Sequence, residues 1–157
     1  FFTVNLHQRR DNDLLTRHIA RLRETVRIVC RRHPFDIHAW VVLPDHLHCI
    51  WTLPDGDMDY STRWRLVKSS VTRHTQTAFA NCAGSVWQHR YWEHRLRNPA
   101  DYRAHVDYIH YNPVKHGYVD KPVNWPYSSL GLYINQGVYP YDWGSGGITQ
   151  SERVGRE

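Results

Sequence analysis

The strongest constraint on the fold is the stretch DIHAWVVLPDHLHCIWTL at residues 36–53, where two β-branched and aromatic runs meet at Pro44-Asp45. Runs of that composition on either side of a turn dipeptide form a β-hairpin. Upstream, residues 1–6 read as a strand. From Asp13, Leu15, Ile19, Leu22, Val26 and Val29 recur at helical spacing, predicting one helix that His33-Pro34 ends. Downstream, PDGDMD at 54–59 is a loop, and Ser61 is expected to cap a second helix with Trp64, Val67, Val71 and Ala78 on one face. Residues 86–97 alternate as one or two strands. Asn98-Pro99 opens a third helix, with Asp101 favourable in its first turn and Tyr102, Val106 and Ile109 as its apolar stripe. Asn112-Pro113 is expected to stop it, with residues 113–126 as loop or short turns. The order β-α-β-β-α-β-α predicts an α+β fold: a ferredoxin-like antiparallel sheet with helices packed on one face.

The 157 residues suit one domain, expected over residues 1–143, with a flexible tail at 144–157 around its glycines. No apolar run reaches the length of a membrane span. The sequence begins at Phe1 inside a strand, so a natural N-terminus is expected upstream. Cys30, Cys49 and Cys82 are odd in number and lack metal-type spacing, which predicts reduced thiols and a cytoplasmic setting. Aromatic residues make up 13% of the chain, and the formal charge is +5. That charge is segregated: about +5 over residues 1–32, about −5 over 33–60 and about +6 over 61–97. Trp64, Trp87, Tyr91 and Trp92 are interleaved with the third block's cations. A basic surface mixed with aromatic rings suits single-stranded nucleic acid, where cations track phosphates and rings stack on bases.

Two constellations can carry chemistry. His46 and His48 alternate on a strand, so both imidazoles project from one face while Leu47 packs on the other. One metal ion can take both, although a chain with twelve histidines also produces such a pair by chance. Tyr108 and Asn112 lie one helical turn apart and face the same spot, whereas Tyr111 is about 100° away from Asn112. A tyrosine beside a helix-ending asparagine is common in purely structural settings too.

Together these segments resemble a known family. PDHLHCIW (44–51) is similar to the His-hydrophobic-His motif of the HUH transposases, and YIHYNPVKHGYV (108–119) to their catalytic-tyrosine helix and its exit. RYWEHRLRNPADYRAHVDYIHYNPVKHG (90–117) and WPYSS (125–129) resemble the REP-associated tyrosine transposases, a domesticated bacterial branch. The resemblance runs from about Phe1 to Trp143. It implies that His46 and His48 ligate Mg²⁺ or Mn²⁺, that Asn112 supplies the third ligand, and that Tyr108 is the nucleophile. Insertion-sequence relatives often carry Gln at the third position, and either amide offers oxygen to a hard cation. The implied reaction is cleavage and rejoining of single-stranded DNA through a covalent 5′-phosphotyrosine. The implied substrates are REP-type palindromes folded as hairpins, with a short single-stranded tetranucleotide on the 5′ side. Phosphate contacts are expected from Arg9, Arg10, Arg63, Arg65, Arg73, Arg90, Arg95 and Arg97. Lys115 and His116, beside the catalytic helix, are further candidates. Trp40 and Trp51 are expected in the core. No general base for Tyr108 stands out, and a monomer is favoured over a dimer.

Two rivals follow from the same residues. One is a ferredoxin-like module that binds hairpins without cutting them. The other is a hydrolytic metallonuclease in which water attacks and Tyr108 is structural.

Overall fold

The computed structural model describes residues 1–75 and 85–146. Strand β1 (Phe2–Asn5) is followed by a one-turn helix α1 (Leu14–Arg17) and by α2 (Ile19–Arg32). Strands β2 (Asp36–Val42) and β3 (His46–Thr52) form the expected hairpin, and α3 (Tyr60–Thr75) follows. A two-residue strand β4 (Trp92–Glu93) leads to α4 (Pro99–Lys115), a 3-10 turn at Pro122–Asn124 and α5 (Leu130–Asn135). The sheet order is β2-β3-β1-β4 with every pairing antiparallel, the ferredoxin-like arrangement.

The sheet is covered on both faces, not on one. Alternation along the strands turns Phe2, Val4, Leu47, Cys49 and Trp51 toward Leu15, Leu22, Val26, Trp64, Val67 and Val71 of α1, α2 and α3. Trp51 stacks on Trp64 with ring centroids 4.2 Å apart, a contact worth about 1 kcal/mol beyond its area. On the opposite face, Ala39, Val41 and Ile50 meet Val106, Tyr108 and Ile109 of α4. Residues 46–51 are therefore all buried. Histidines in a strand read as polar, which hides a two-sided strand from sequence patterning.

Several boundaries depart from expectation for local reasons. The first helix breaks at His18 (φ −107°, ψ 26°), and the break allows the adjacent Leu14 and Leu15 both to be buried. Leu15 N–H donates to Pro44 O at 3.1 Å, tying this turn to the hairpin. Asp59, not Ser61, caps α3, accepting Thr62 N–H at 3.0 Å; Ser61 instead meets the Tyr91 hydroxyl. Ala78 lies outside the described residues. In the 86–97 stretch only Trp92–Glu93 and a bridge from Trp87 to Leu6 join the sheet.

Asn98 caps α4 as expected, accepting Asp101 N–H at 2.9 Å. Asn112-Pro113 does not stop that helix. Proline lacks only its own donor, and near a C-terminus one further turn forms from the residues beyond it. Gly117 ends the helix with φ +71°, its N–H reaching Val114 O and Tyr118 N–H reaching Pro113 O.

The C-terminal segment closes over α4. Tyr139 donates to Asp107, Trp143 packs on His110, Tyr111 and Tyr139, and Gly144 abuts Pro122 and Tyr111. The rest of the expected tail, 147–157, lies outside the described residues. Cys30 and Cys49 are free thiols, and burial pushes the Cys49 thiol well above its usual range. Cys82 lies outside the described residues. Trp51 is in the core as expected, while Trp40 is half-buried under the Arg23 guanidinium. Among the described residues no helix is long and apolar enough to cross a membrane.

Candidate active site

The register of β3 against β1 places His48 opposite Thr3 and His46 opposite Asn5. Both imidazoles are fully buried on the α4 face, with ring centroids 5.0 Å apart. Each has its Nδ1 engaged by a neighbour. Asp45 Oδ1 accepts from His46 Nδ1 at 2.7 Å, and Thr3 Oγ1 lies 2.8 Å from His48 Nδ1. The Asp45 carboxylate can only accept, so it places the His46 proton on Nδ1 and leaves Nε2 as the ligating nitrogen, whereas the Thr3 hydroxyl orients the His48 ring. Asp45 is held in turn by Arg9, whose Nε donates to Oδ2 at 2.6 Å and whose Nη2 lies 3.4 Å from His46 Nδ1. Burial alone raises the Asp45 carboxyl, but the hydrogen bonds from His46 and Arg9 prevail and bring it to about 2.

Helix α4 brings the other two candidate residues onto this pair. The Tyr108 ring lies 5.2 Å from the His48 ring, edge to face, and Tyr108 is 1% exposed. One turn further on, Asn112 is fully buried, and neither its amide oxygen nor its amide nitrogen has a hydrogen-bond partner among the described residues. Leaving a buried amide unsatisfied costs about 1–3 kcal/mol, a cost that a bound cation or water would relieve. Two buried imidazoles with Nδ1 engaged and one unsatisfied amide fit a divalent cation. His116 packs edge-on to His46 at 5.1 Å, and Lys115 reaches back over Tyr108, its Nζ 3.4 Å from the hydroxyl oxygen.

The structure separates the expected basic residues. Arg63 is corrected outright: it is 3% exposed, and its guanidinium donates to His33 O, Pro34 O, Asp59 O and the Asp57 carboxylate. It fastens α3 to the turn before β2 and presents no face to phosphate. Arg9 is occupied at the base of the histidine pair. Arg10, Arg65, Arg73, Arg90, Arg95, Arg97 and Lys115 are exposed, and His116 is half-buried.

Asp45 and Thr3 escaped sequence reasoning. Asp45 carried a signal, as a carboxylate immediately before the first histidine, whereas Thr3 depends on strand register. A second group was also unforeseen: His94, Asp101 and His105 offer ligand atoms within 4.8 Å of one another. Asp101 Oδ2 lies 3.0 Å from His94 Nε2 and accepts Arg97 N–H, while Oδ1 lies 3.1 Å from His105 Nδ1. Burial lowers the affinity of His105 for a proton.

The fold thus sets a buried histidine pair beneath a tyrosine-bearing helix on a ferredoxin-like sheet. Residues 3–112 match the family described as Transposase IS200 like, and the chain belongs to that family. Among the proteins it is similar to are REP-associated tyrosine transposases. The one from Escherichia coli (strain K12) is 50% identical over 149 residues, covering 95% of this chain and 86% of its own length. A protein from Haemophilus influenzae (strain ATCC 51907 / DSM 11121 / KW20 / Rd) is 38% identical over 152 residues, covering 92% of this chain and 86% of its own. A solved structure of a REP-associated tyrosine transposase bound to a REP hairpin superposes with a TM-score of 0.83 at 46% identity. That match covers 99% of this chain and 91% of the other.

Proposed function

We propose that this transposase cuts and rejoins single-stranded DNA beside REP-type hairpins, with Tyr108 as nucleophile and a divalent cation, Mg²⁺ or Mn²⁺, held by His46, His48 and Asn112. The observation that carries the reading is Asn112, a fully buried and unsatisfied amide one helical turn from a tyrosine packed on His48. When bound, the cation supplies Lewis-acid polarisation of the scissile phosphate. The 46% identical relative bound to a REP hairpin supports hairpin DNA as partner.

The chain's own residues do the rest. Tyr108 Oη attacks phosphorus and gives up its proton, the bond from phosphorus to the 3′ oxygen breaks, and that oxygen takes up a proton to leave as a 3′-hydroxyl. The phosphodiester energy stays in the tyrosyl linkage, so the same or a second 3′ end can reverse the step. Water attack would discard it. Asp45 holds His46 in the ligating tautomer, Thr3 orients the His48 ring, and the exposed arginines track the hairpin backbone. One catalytic domain, working as a monomer in the cytoplasm, completes the reading.

The test is a covalent adduct carrying a 5′-linked phosphate, formed on the REP hairpin that the relative binds. Wild type forms it with Mg²⁺ or Mn²⁺, while Tyr108→Phe binds the hairpin within a few-fold and forms none. Cleavage without adduct identifies a hydrolytic nuclease, and tight binding without cleavage identifies a hairpin-binding module. His46→Ala must lose metal-dependent cleavage. If His94→Ala loses it and His46→Ala does not, the cation belongs to the His94–Asp101–His105 group.

A further inference from the structure

Lys115 lies two helical turns beyond Tyr108, on the same face of α4. Its ammonium is 3.4 Å from the Tyr108 hydroxyl oxygen and 4.8 Å from the ring centroid, and Lys115 is exposed. Tyr108 itself is 1% exposed, and the exposed Lys115 is a cation in contact with its hydroxyl. In an in-line attack, phosphorus sits about 3–3.5 Å from the attacking oxygen before the bond forms. Its non-bridging oxygens then lie within hydrogen-bonding reach of a cation already 3.4 Å from the same Oη.

Resting on the assignment of Tyr108 as nucleophile, we propose that Lys115 is a catalytic residue that grips the scissile phosphate. Its ammonium leaves the tyrosine face for a non-bridging oxygen and stabilises the charge that builds there as the tyrosyl–phosphorus bond forms and the bond to the 3′ oxygen breaks. Lys115 keeps all its protons throughout. Lysine suits the task as a compact point charge on a flexible stem, able to pass from ring to phosphate. This differs from a backbone tether, which adds affinity equally before and during the reaction and leaves the chemical step unchanged.

The experiment measures single-turnover adduct formation on the relative's REP hairpin by wild type, Lys115→Met, Lys115→Arg and Tyr108→Phe, with hairpin binding measured alongside. Removing one preorganised charge at a reacting oxygen costs about 10²–10³-fold in rate. Lys115→Met is therefore expected to slow adduct formation by that factor with binding within about threefold, and Lys115→Arg to recover part of the loss. The decisive arm replaces the scissile phosphate by a methylphosphonate, which removes one charged non-bridging oxygen. On the diastereomer that lacks the oxygen the lysine serves, wild type and Lys115→Met should react at rates within about threefold of each other.

An equal loss in binding and rate, or an undiminished Lys115→Met defect on both methylphosphonate diastereomers, overturns the proposal and leaves a tether or a packing role. Full activity in Lys115→Met beside an inactive Tyr108→Phe overturns the lysine assignment alone. An adduct in Tyr108→Phe, or none in wild type, overturns the nucleophile on which it rests.

Discussion

Asp45 links Arg9 to His46: one carboxylate oxygen accepts His46 Nδ1–H at 2.7 Å and the other accepts Arg9 Nε–H at 2.6 Å. A carboxylate behind an imidazole fixes its tautomer and strengthens it as a ligand, and removing such a partner typically costs 10–100-fold in metal affinity. Asp45→Asn keeps an accepting oxygen but loses the charge. We expect it to weaken Mn²⁺ binding by about 10-fold or more, read as a shift in the Mn²⁺ concentration that raises the melting temperature. Saturating metal should restore adduct formation. Unchanged metal dependence would show that the Asp45–His46 bond serves the hairpin turn and not the site.

Asn112 gives a sharper signature because its stability and its proposed role pull in opposite directions. Replacing a buried, unsatisfied amide by an apolar group of similar size removes a penalty of about 1–3 kcal/mol. Asn112→Leu, measured in EDTA, should be at least as stable as wild type. The same variant should lose the rise in melting temperature on adding Mn²⁺ or Mg²⁺, along with adduct formation. A variant that is several kcal/mol less stable without metal would mean that the amide is a structural group and not a ligand.

Arg63 and Arg65, two residues apart on α3, are expected to part company. Arg63 satisfies three backbone carbonyls and the Asp57 carboxylate from a buried position. Arg63→Met should destabilise the fold by about 2–4 kcal/mol by chemical denaturation. Its hydrogen bonds hold the Asp57 carboxyl below the usual carboxylate range. Because that folded value lies below the unfolded one, the pair's contribution is complete above the ordinary Asp pKa and fades as pH falls through the lower value. Arg65 is exposed, so Arg65→Met should change stability by less than about 0.5 kcal/mol. If it contacts phosphate, hairpin affinity falls and its salt slope drops by about 1. Equal effects of the two substitutions on stability would contradict the burial of Arg63.

These residues also mark what the sequence could and could not reveal. His46 with His48, and Tyr108 with Asn112, were legible because strand and helix periods alone set which side chains share a face. Their meeting in one site came from the family resemblance and not from periodicity, since it depends on α4 packing opposite α1–α3, and a strand carrying two histidines looks one-sided. Thr3 was invisible for a related reason: its partner is set by the β1–β3 register, a long-range pairing with no local signal. Arg63 read like any cation of the basic block, because the carbonyls that bury it come from the turn before β2. Asn112-Pro113 looked like a helix end, yet the true end was encoded five residues past Asn112, at Gly117.

That glycine gives the last prediction. Gly117 holds φ +71°, and a Cβ built there meets nothing within 4 Å, so substitution costs backbone strain without steric clash. The turn it closes carries Lys115 and His116 back over Tyr108 and His46. Gly117→Ala should destabilise the protein by about 1 kcal/mol, the usual penalty for a side chain in the left-handed region, and Gly117→Asn by less. The proposed role of Lys115 adds a second consequence. Adduct formation by Gly117→Ala should fall more than hairpin binding does, because the ammonium is displaced from Oη while the exposed arginines stay in place. A loss of stability with unchanged single-turnover rate would mean that the turn ends the helix without positioning the lysine.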